Sequence, residues 1–143
     1  MEEYVESRIM GIDFGKKRIG IALSDPLKKF AYPFITIPND SNFFLECAKI
    51  IKENCIIKII LGIPNEERVS KTSIVENVKK FKNEIEKKFT LEVIFWDETY
   101  TSSIAQQRIL ESVSKKSKRK NKGLLDMNSA SIILQEYIDT LNK

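Results

Sequence analysis

Two short apolar runs, residues 9–14 and 19–23, flank the polar turn Gly15-Lys16-Lys17-Arg18. Ile-rich runs of this length around a Gly-containing turn predict a β-hairpin, with Asp13 near the end of its first strand. Pro33-Phe34-Ile35-Thr36-Ile37-Pro38 predicts a third strand, its prolines at the margins where a missing N–H does least harm. Asn39-Asp40-Ser41 offers a cap, and Phe44, Cys47, Ala48 and Ile51 then recur at helical spacing, predicting a helix over 41–54. The nearly continuous β-branched run 56–63, stopped by Pro64, predicts a buried parallel strand. Ser73 and Glu76 form a capping-box pattern, and Ile74, Val78, Phe81 and Ile85 trace the apolar face of a helix to residue 88. Residues 91–96 predict a fifth strand that runs directly into Asp97-Glu98, and Ser103 with Gln106 marks a further helix start. A basic loop closed by Gly123 leads to a last helix, whose buried stripe is Ala130, Ile133, Leu134, Tyr137 and Leu141. Asp126 lies one turn before Ala130 on that same face.

Three consecutive strands followed by alternating elements predict an α/β fold. The expected sheet is mixed and five-stranded, three strands antiparallel and then two parallel, with helices on both faces. The 143 residues suit a single domain over 1–143 and leave no room for a second lobe around a cleft. The acidic start Met1-Glu2-Glu3-Tyr4-Val5-Glu6 lacks the features of a signal peptide, and no apolar run reaches membrane-spanning length. A soluble, cytoplasmic protein without membrane contact is therefore expected. Cys47 and Cys55, the only cysteines, form no CxxC pair and read as small core residues.

The chain contains no histidine. That removes Ser-His-Asp and Cys-His hydrolysis, His-ligated zinc and His-based acid–base cleavage of RNA. Carboxylates, lysines and hydroxyls are left to carry any chemistry, and the metals that suit them are hard, Mg²⁺ or Mn²⁺ first. The charge is uneven as well. Lys115, Lys116, Lys118, Arg119, Lys120 and Lys122 put six cations into eight residues, so the net +4 of the chain leaves −2 on everything else. A local basic patch on a nearly neutral body points to phosphate attraction, against the alternative of a solvated loop in a lysine-rich composition.

In this sheet Asp13, Glu98 and Asp126 are free to converge at one edge. Loops beyond the carboxyl ends of strands build the sites of open α/β sheets. Three gathered carboxylates repel one another unless cations neutralise them, and a two-metal site hydrolyses phosphodiesters without histidine. Each acid also has a structural reading: Asp13 as a turn cap and Asp126 as a helix N-cap. Asp13-Phe14-Gly15 is no kinase signature, because neither a His-Arg-Asp loop nor a Gly-rich ATP loop accompanies it. An actin-like or sugar-kinase ATPase would need the second lobe that this length excludes.

The segment Asp13–Asp25, the Leu61-Gly62-Ile63-Pro64 loop, Asp97-Glu98 and the run Asp126–Gln135 together resemble the YqgF-type family, over residues 9–139. The resemblance implies an RNase H-like fold and a nuclease, either one maturing the 5′ end of pre-16S ribosomal RNA in ribosome biogenesis or a Holliday junction resolvase. It places the catalytic, metal-binding acids at Asp13, Glu98 and Asp126, with Mg²⁺ or Mn²⁺ as cofactor. Lys16, Lys17 and Arg18 with the 115–122 cluster become the nucleic-acid contacts. Two departures stand out. Thr99 replaces the Arg that usually follows the Asp-Glu pair, and Asn65-Glu66-Glu67-Arg68-Val69 lacks the expected Gly. Thr cannot supply the bidentate phosphate contact of Arg, so substrate positioning differs more than metal binding. The implied partners are structured pre-ribosomal RNA or branched DNA and ribosome-assembly factors, with the protein a monomer or weak homodimer. The reading from a different class is a catalytically silent RNA-binding module whose acids serve as caps.

Overall fold

β1 (Arg8–Phe14) and β2 (Arg18–Ser24) form the predicted hairpin, paired antiparallel with Asp13 opposite Gly20. The computed structural model describes residues 6–63, 73–97 and 122–142. β3 (Ala31–Pro38) pairs antiparallel with β2, while β4 (Ile56–Ile63) lies parallel to β1 and β5 (Glu92–Asp97) parallel to β4. The resulting sheet has the order β3-β2-β1-β4-β5, the mixed arrangement that the residue pattern predicts. Because β1, β4 and β5 are parallel, their carboxyl ends share one edge.

Alternation along the strands separates two cores. Met10, Ile12, Ile19, Ile21, Leu23, Ile59 and Leu61 point to one face, where α1 (Phe43–Glu53) and α2 (Ser73–Phe89) cover them. Ile9, Ala22 and Ile60 point to the other, against Ala130, Ile133, Leu134, Tyr137 and Ile138 of α3 (Lys122–Leu141). The backbones approach closely there. A Cβ at Gly11 would come within 2.8 Å of the Ala130 carbonyl oxygen, and one at Gly20 would run into that of Asp126. Only glycine lets a helix lie this near the strands. Side-chain bonds lock α3 to the edge strand as well. Gln135 Oε1 accepts from the Ala31 N–H at 2.7 Å, and Thr36 Oγ1 donates to the Gly123 carbonyl at 2.6 Å.

The structure shifts several expectations. α1 begins at Phe43 and turns Phe43, Cys47 and Ile50 fully inward, with Phe44 and Ile51 packed at the margin. The cap at Asn42 makes no side-chain bond; Asp40 Oδ1 instead accepts the Asn42 N–H at 2.9 Å. In α2 it is Val75, not Ile74, that joins Val78, Phe81 and Ile85 in the core. Leu141, the last residue of α3, is 51% exposed. Cys47 is buried, which pushes its thiol up to about 12, but Cys55 is exposed, in the left-handed turn (φ 50°) between α1 and β4. α3 starts at Lys122, so Gly123 lies inside the helix and closes no loop. The Ser103–Gln106 helix start lies outside the described residues. No helix among the described residues is long and apolar enough to cross a membrane.

Candidate active site

Asp13 occupies the last inward position on the α3 side of β1. Ile9 and Gly11 contact α3, and the strict alternation of the strand puts Asp13 on their face. Its ladder partner Gly20 lies directly under the Asp126 backbone. The hairpin and the start of α3 thus bring Asp13 and Asp126, 113 positions apart in sequence, to one side of the sheet at its carboxyl edge. Asp126 is the fifth residue of α3, which rules out the N-cap reading. Both acids are half-buried.

One charge partner was not foreseen from the sequence. Arg18 also points to the α3 side of β2, and its Nε donates to Asp126 Oδ2 at 2.8 Å in an ion pair whose side chains are 37% and 20% exposed. Period-two alternation with Gly20 and Ala22 was the available signal, since it places Arg18 on the helix-covered face. Lys16 and Lys17 are exposed at the hairpin turn. That turn is tied to the segment after β3: Asn39 donates its backbone N–H to the Lys17 carbonyl at 2.9 Å and its Nδ2 to the Gly15 carbonyl at 2.8 Å.

β5 delivers Asp97 to the same edge, with Asp97 opposite Ile63 of β4. Glu98, Lys115, Lys116, Lys118, Arg119 and Lys120 lie outside the described residues, as do Thr99 and residues 65–69. Lys122 is the first residue of α3. Among the described residues no group of three acidic or cysteine side chains is close enough to hold a metal ion. The described part of the site is therefore two carboxylates and a guanidinium over a glycine floor.

A second acid of the hairpin is structural. Burial raises the Asp25 carboxyl, but the backbone N–H groups of Phe30, Lys29 and Leu27 outweigh it and hold the group below the ordinary value. Their donor distances to its two oxygens are 2.8, 2.8 and 3.2 Å, so Asp25 shapes the turn between β2 and β3.

Comparison with known proteins identifies the family. Residues 7–140 match the family model described as "RuvX: Holliday junction resolvase". A "Putative pre-16S rRNA nuclease" of Sulfurihydrogenibium sp. (strain YO3AOP1) is 40% identical over 140 residues, 95% of this chain and 92% of the relative. A protein of the same name from Phocaeicola vulgatus is 37% identical over 137 residues, covering 94% and 96%. Among solved structures, Fowlpox virus resolvase with Holliday junction DNA aligns at a TM-score of 0.59 and 16% identity, covering 95% of this chain and 99% of that one. T. thermophilus RuvC with its Holliday junction substrate aligns at 0.59 and 9%, covering 95% and 96%. At those identities the two structures speak for the fold alone. The sequence matches reach further: the chain belongs to the RuvX family, and with it to the nucleases of RNase H-like fold.

Proposed function

We propose that the protein is a divalent-metal-dependent endonuclease that hydrolyses phosphodiester bonds in structured RNA, with precursor 16S ribosomal RNA as its substrate. The observation that carries this reading is the placement of Asp13 and Asp126 on one face at the carboxyl edge, held there by the Gly20 contact with α3. Two carboxylates with no histidine anywhere in the chain are a hard, all-oxygen donor set that fits Mg²⁺ or Mn²⁺. Arg18 engages only one oxygen of Asp126. Glu98, immediately after β5, is the third donor in this proposal. A cation there would supply Lewis-acid stabilisation of the phosphate and a water of lowered pKa. The residues of this chain do the rest. Asp13 and Asp126 fix the site at the strand ends, while Lys16 and Lys17 attract backbone phosphates at the hairpin turn. The cations of 115–122 hold the polyanion.

RNA is favoured over junction DNA by the names of the relatives at 35–40% identity, whereas the resolvase likeness in solved structures is confined to the fold. The test incubates purified protein with precursor ribosomal RNA and with a synthetic four-way junction, each with Mn²⁺ or with EDTA. RNA cleavage that requires Mn²⁺ and is lost in Asp13→Asn, Glu98→Gln and Asp126→Asn is the expected result. Cleavage of the junction alone would transfer the assignment to resolvase, and unchanged cleavage by Asp13→Asn would remove it altogether. Failure of Mn²⁺ to bind in calorimetry would favour the silent RNA-binding module.

A further inference from the structure

On the opposite face of the same strand end lies a cavity of about 320 Å³ that the nuclease chemistry does not use. Its size falls at the lower end of pockets that take small molecules, about 300–1,000 Å³. Phe14, Phe44 and Phe81 form its aromatic wall, with ring centroids 4.8 Å apart for Phe14 and Phe81 and 6.0 Å for Phe44 and Phe81. Phe81 is buried and backs the other two, which keep part of their surface open. Lys16 from the hairpin turn and Lys80 from α2 stand at the rim, and among the described residues no ion pair engages either ammonium. Asn39, Asn77 and Glu84 complete the lining. Asn39 is fixed by its Nδ2 bond to the Gly15 carbonyl, which leaves its Oδ1 outside that bond.

We infer that this cavity receives an unpaired nucleobase of the substrate strand, a neighbour of the nucleotide whose phosphodiester lies at Asp13 and Asp126. An aromatic wall offers a stacking surface that any base can use. Amide and carboxylate groups around it match the donors and acceptors of a base edge, and two rim ammoniums match the flanking phosphates. A free apolar small molecule would leave these polar groups without purpose, and an acidic peptide would bring no planar group to the aromatic wall. Position makes the link to the reaction. Asp13 and Phe14 are consecutive, so their side chains leave β1 on opposite faces. A single strand crossing the carboxyl edge from the α3 side to the α1/α2 side therefore passes the acids on one face and the cavity on the other. The inference rests on the nuclease reading and adds that the cut lies beside an unpaired base.

The test uses the full chain in EDTA with a short single-stranded RNA carrying one 5-iodouridine, ultraviolet cross-linking and mass spectrometric mapping. Adducts should fall on Phe14 or Phe44. Lys80→Glu should lower their yield at least fivefold relative to Lys49→Glu, which makes the same charge change on the exposed side of α1, away from the cavity. Equal yields in the two variants, or adducts only at residues that do not line the cavity, would overturn the inference. Mn²⁺-dependent cleavage is measured on the same wild-type preparation. Cleavage without cavity adducts would discard the base site and keep the nuclease, whereas cavity adducts without cleavage in any metal would discard the nuclease and, with it, the adjacency claimed here.

Discussion

Arg18 stands where an incoming cation would have to arrive. Its Nε is 2.8 Å from Asp126 Oδ2, so one positive charge already stabilises the carboxylate that is proposed to bind another. The pair is partly exposed, and such pairs contribute at most about 1 kcal/mol to folding. Its larger effect is on ligand affinity, because like charges at short range oppose each other even near a surface. Arg18→Ala is therefore expected to bind Mn²⁺ several-fold more tightly in calorimetry, with a denaturation midpoint little changed. If Arg18 also meets a substrate phosphate, as the family resemblance implies, the same variant should bind substrate more weakly, and a rise in KM with tighter metal binding is the combined signature. Asp25 gives a pH-dependent counterpart. Its folded pKa lies below the unfolded value, so it contributes stability above the unfolded carboxylate pKa and loses it as pH falls through the lowered folded value. Asp25→Asn should be less stable than wild type by about 1 kcal/mol at pH 7, the scale of a weakened charged hydrogen bond. Urea titrations repeated toward pH 2 should show the two proteins converge.

At the level of elements, the contact between α3 and the hairpin decides whether the acids meet. Gly20→Ala adds one methyl against the Asp126 carbonyl, and overpacking of this kind costs about 1–3 kcal/mol. Its denaturation midpoint should fall, and Mn²⁺ affinity should fall with it because α3 is pushed off the sheet. Thr90, between α2 and β5, has φ 54°, a left-handed conformation that costs a β-branched residue about 1–2 kcal/mol. Thr90→Gly removes that strain at an entropic cost of about 0.5–1 kcal/mol, so a slightly raised Tm is expected. These features also show what a residue pattern can and cannot carry. Periodicity placed Asp13 at the end of a strand and Asp126 one turn ahead of a buried stripe, because burial repeats along regular elements. It missed by one residue which of Phe43 and Phe44, or Ile74 and Val75, faces inward, since adjacent apolar residues both satisfy a helical face until the crossing with the sheet selects one. The helix start at Lys122 was hidden by Gly123, which reads as a breaker although the first turn of a helix tolerates it. Cys55 was misplaced because its small apolar side chain gives no sign of a left-handed turn. The Arg18–Asp126 pair spans 108 positions and is legible only once the hairpin and α3 are superposed.

For the whole molecule, the distribution of charge along the sequence predicts that capture of a polyanion can be separated from catalysis. The +4 of the chain comes from six cations within residues 115–122, while the remainder is at −2, so the body has little general attraction for a polyanion. Affinity for RNA should then depend on how many of those cations neutralise phosphates. Each phosphate contact to a single strand contributes about 0.7 to the slope of log affinity against log salt. Replacing Lys115, Lys116, Lys118, Arg119, Lys120 and Lys122 together by Ala should reduce the magnitude of that slope by up to about four, because six contacts at about 0.7 each are then lost. Asp13 and Glu98, two of the acids proposed to hold the metal, are separate from this cluster, but Lys122 lies one turn ahead of Asp126 in α3. A second variant that keeps Lys122 is therefore the one in which Mn²⁺ affinity and the cleavage rate at saturating RNA should stay near wild type while KM rises steeply at about 0.15 M salt. An unchanged salt slope in fluorescence anisotropy would mean that the cluster is only a solvated surface. Capture would then fall to Lys16, Lys17 and Arg18, whose removal should affect binding and cleavage together because Arg18 is bonded directly to the site.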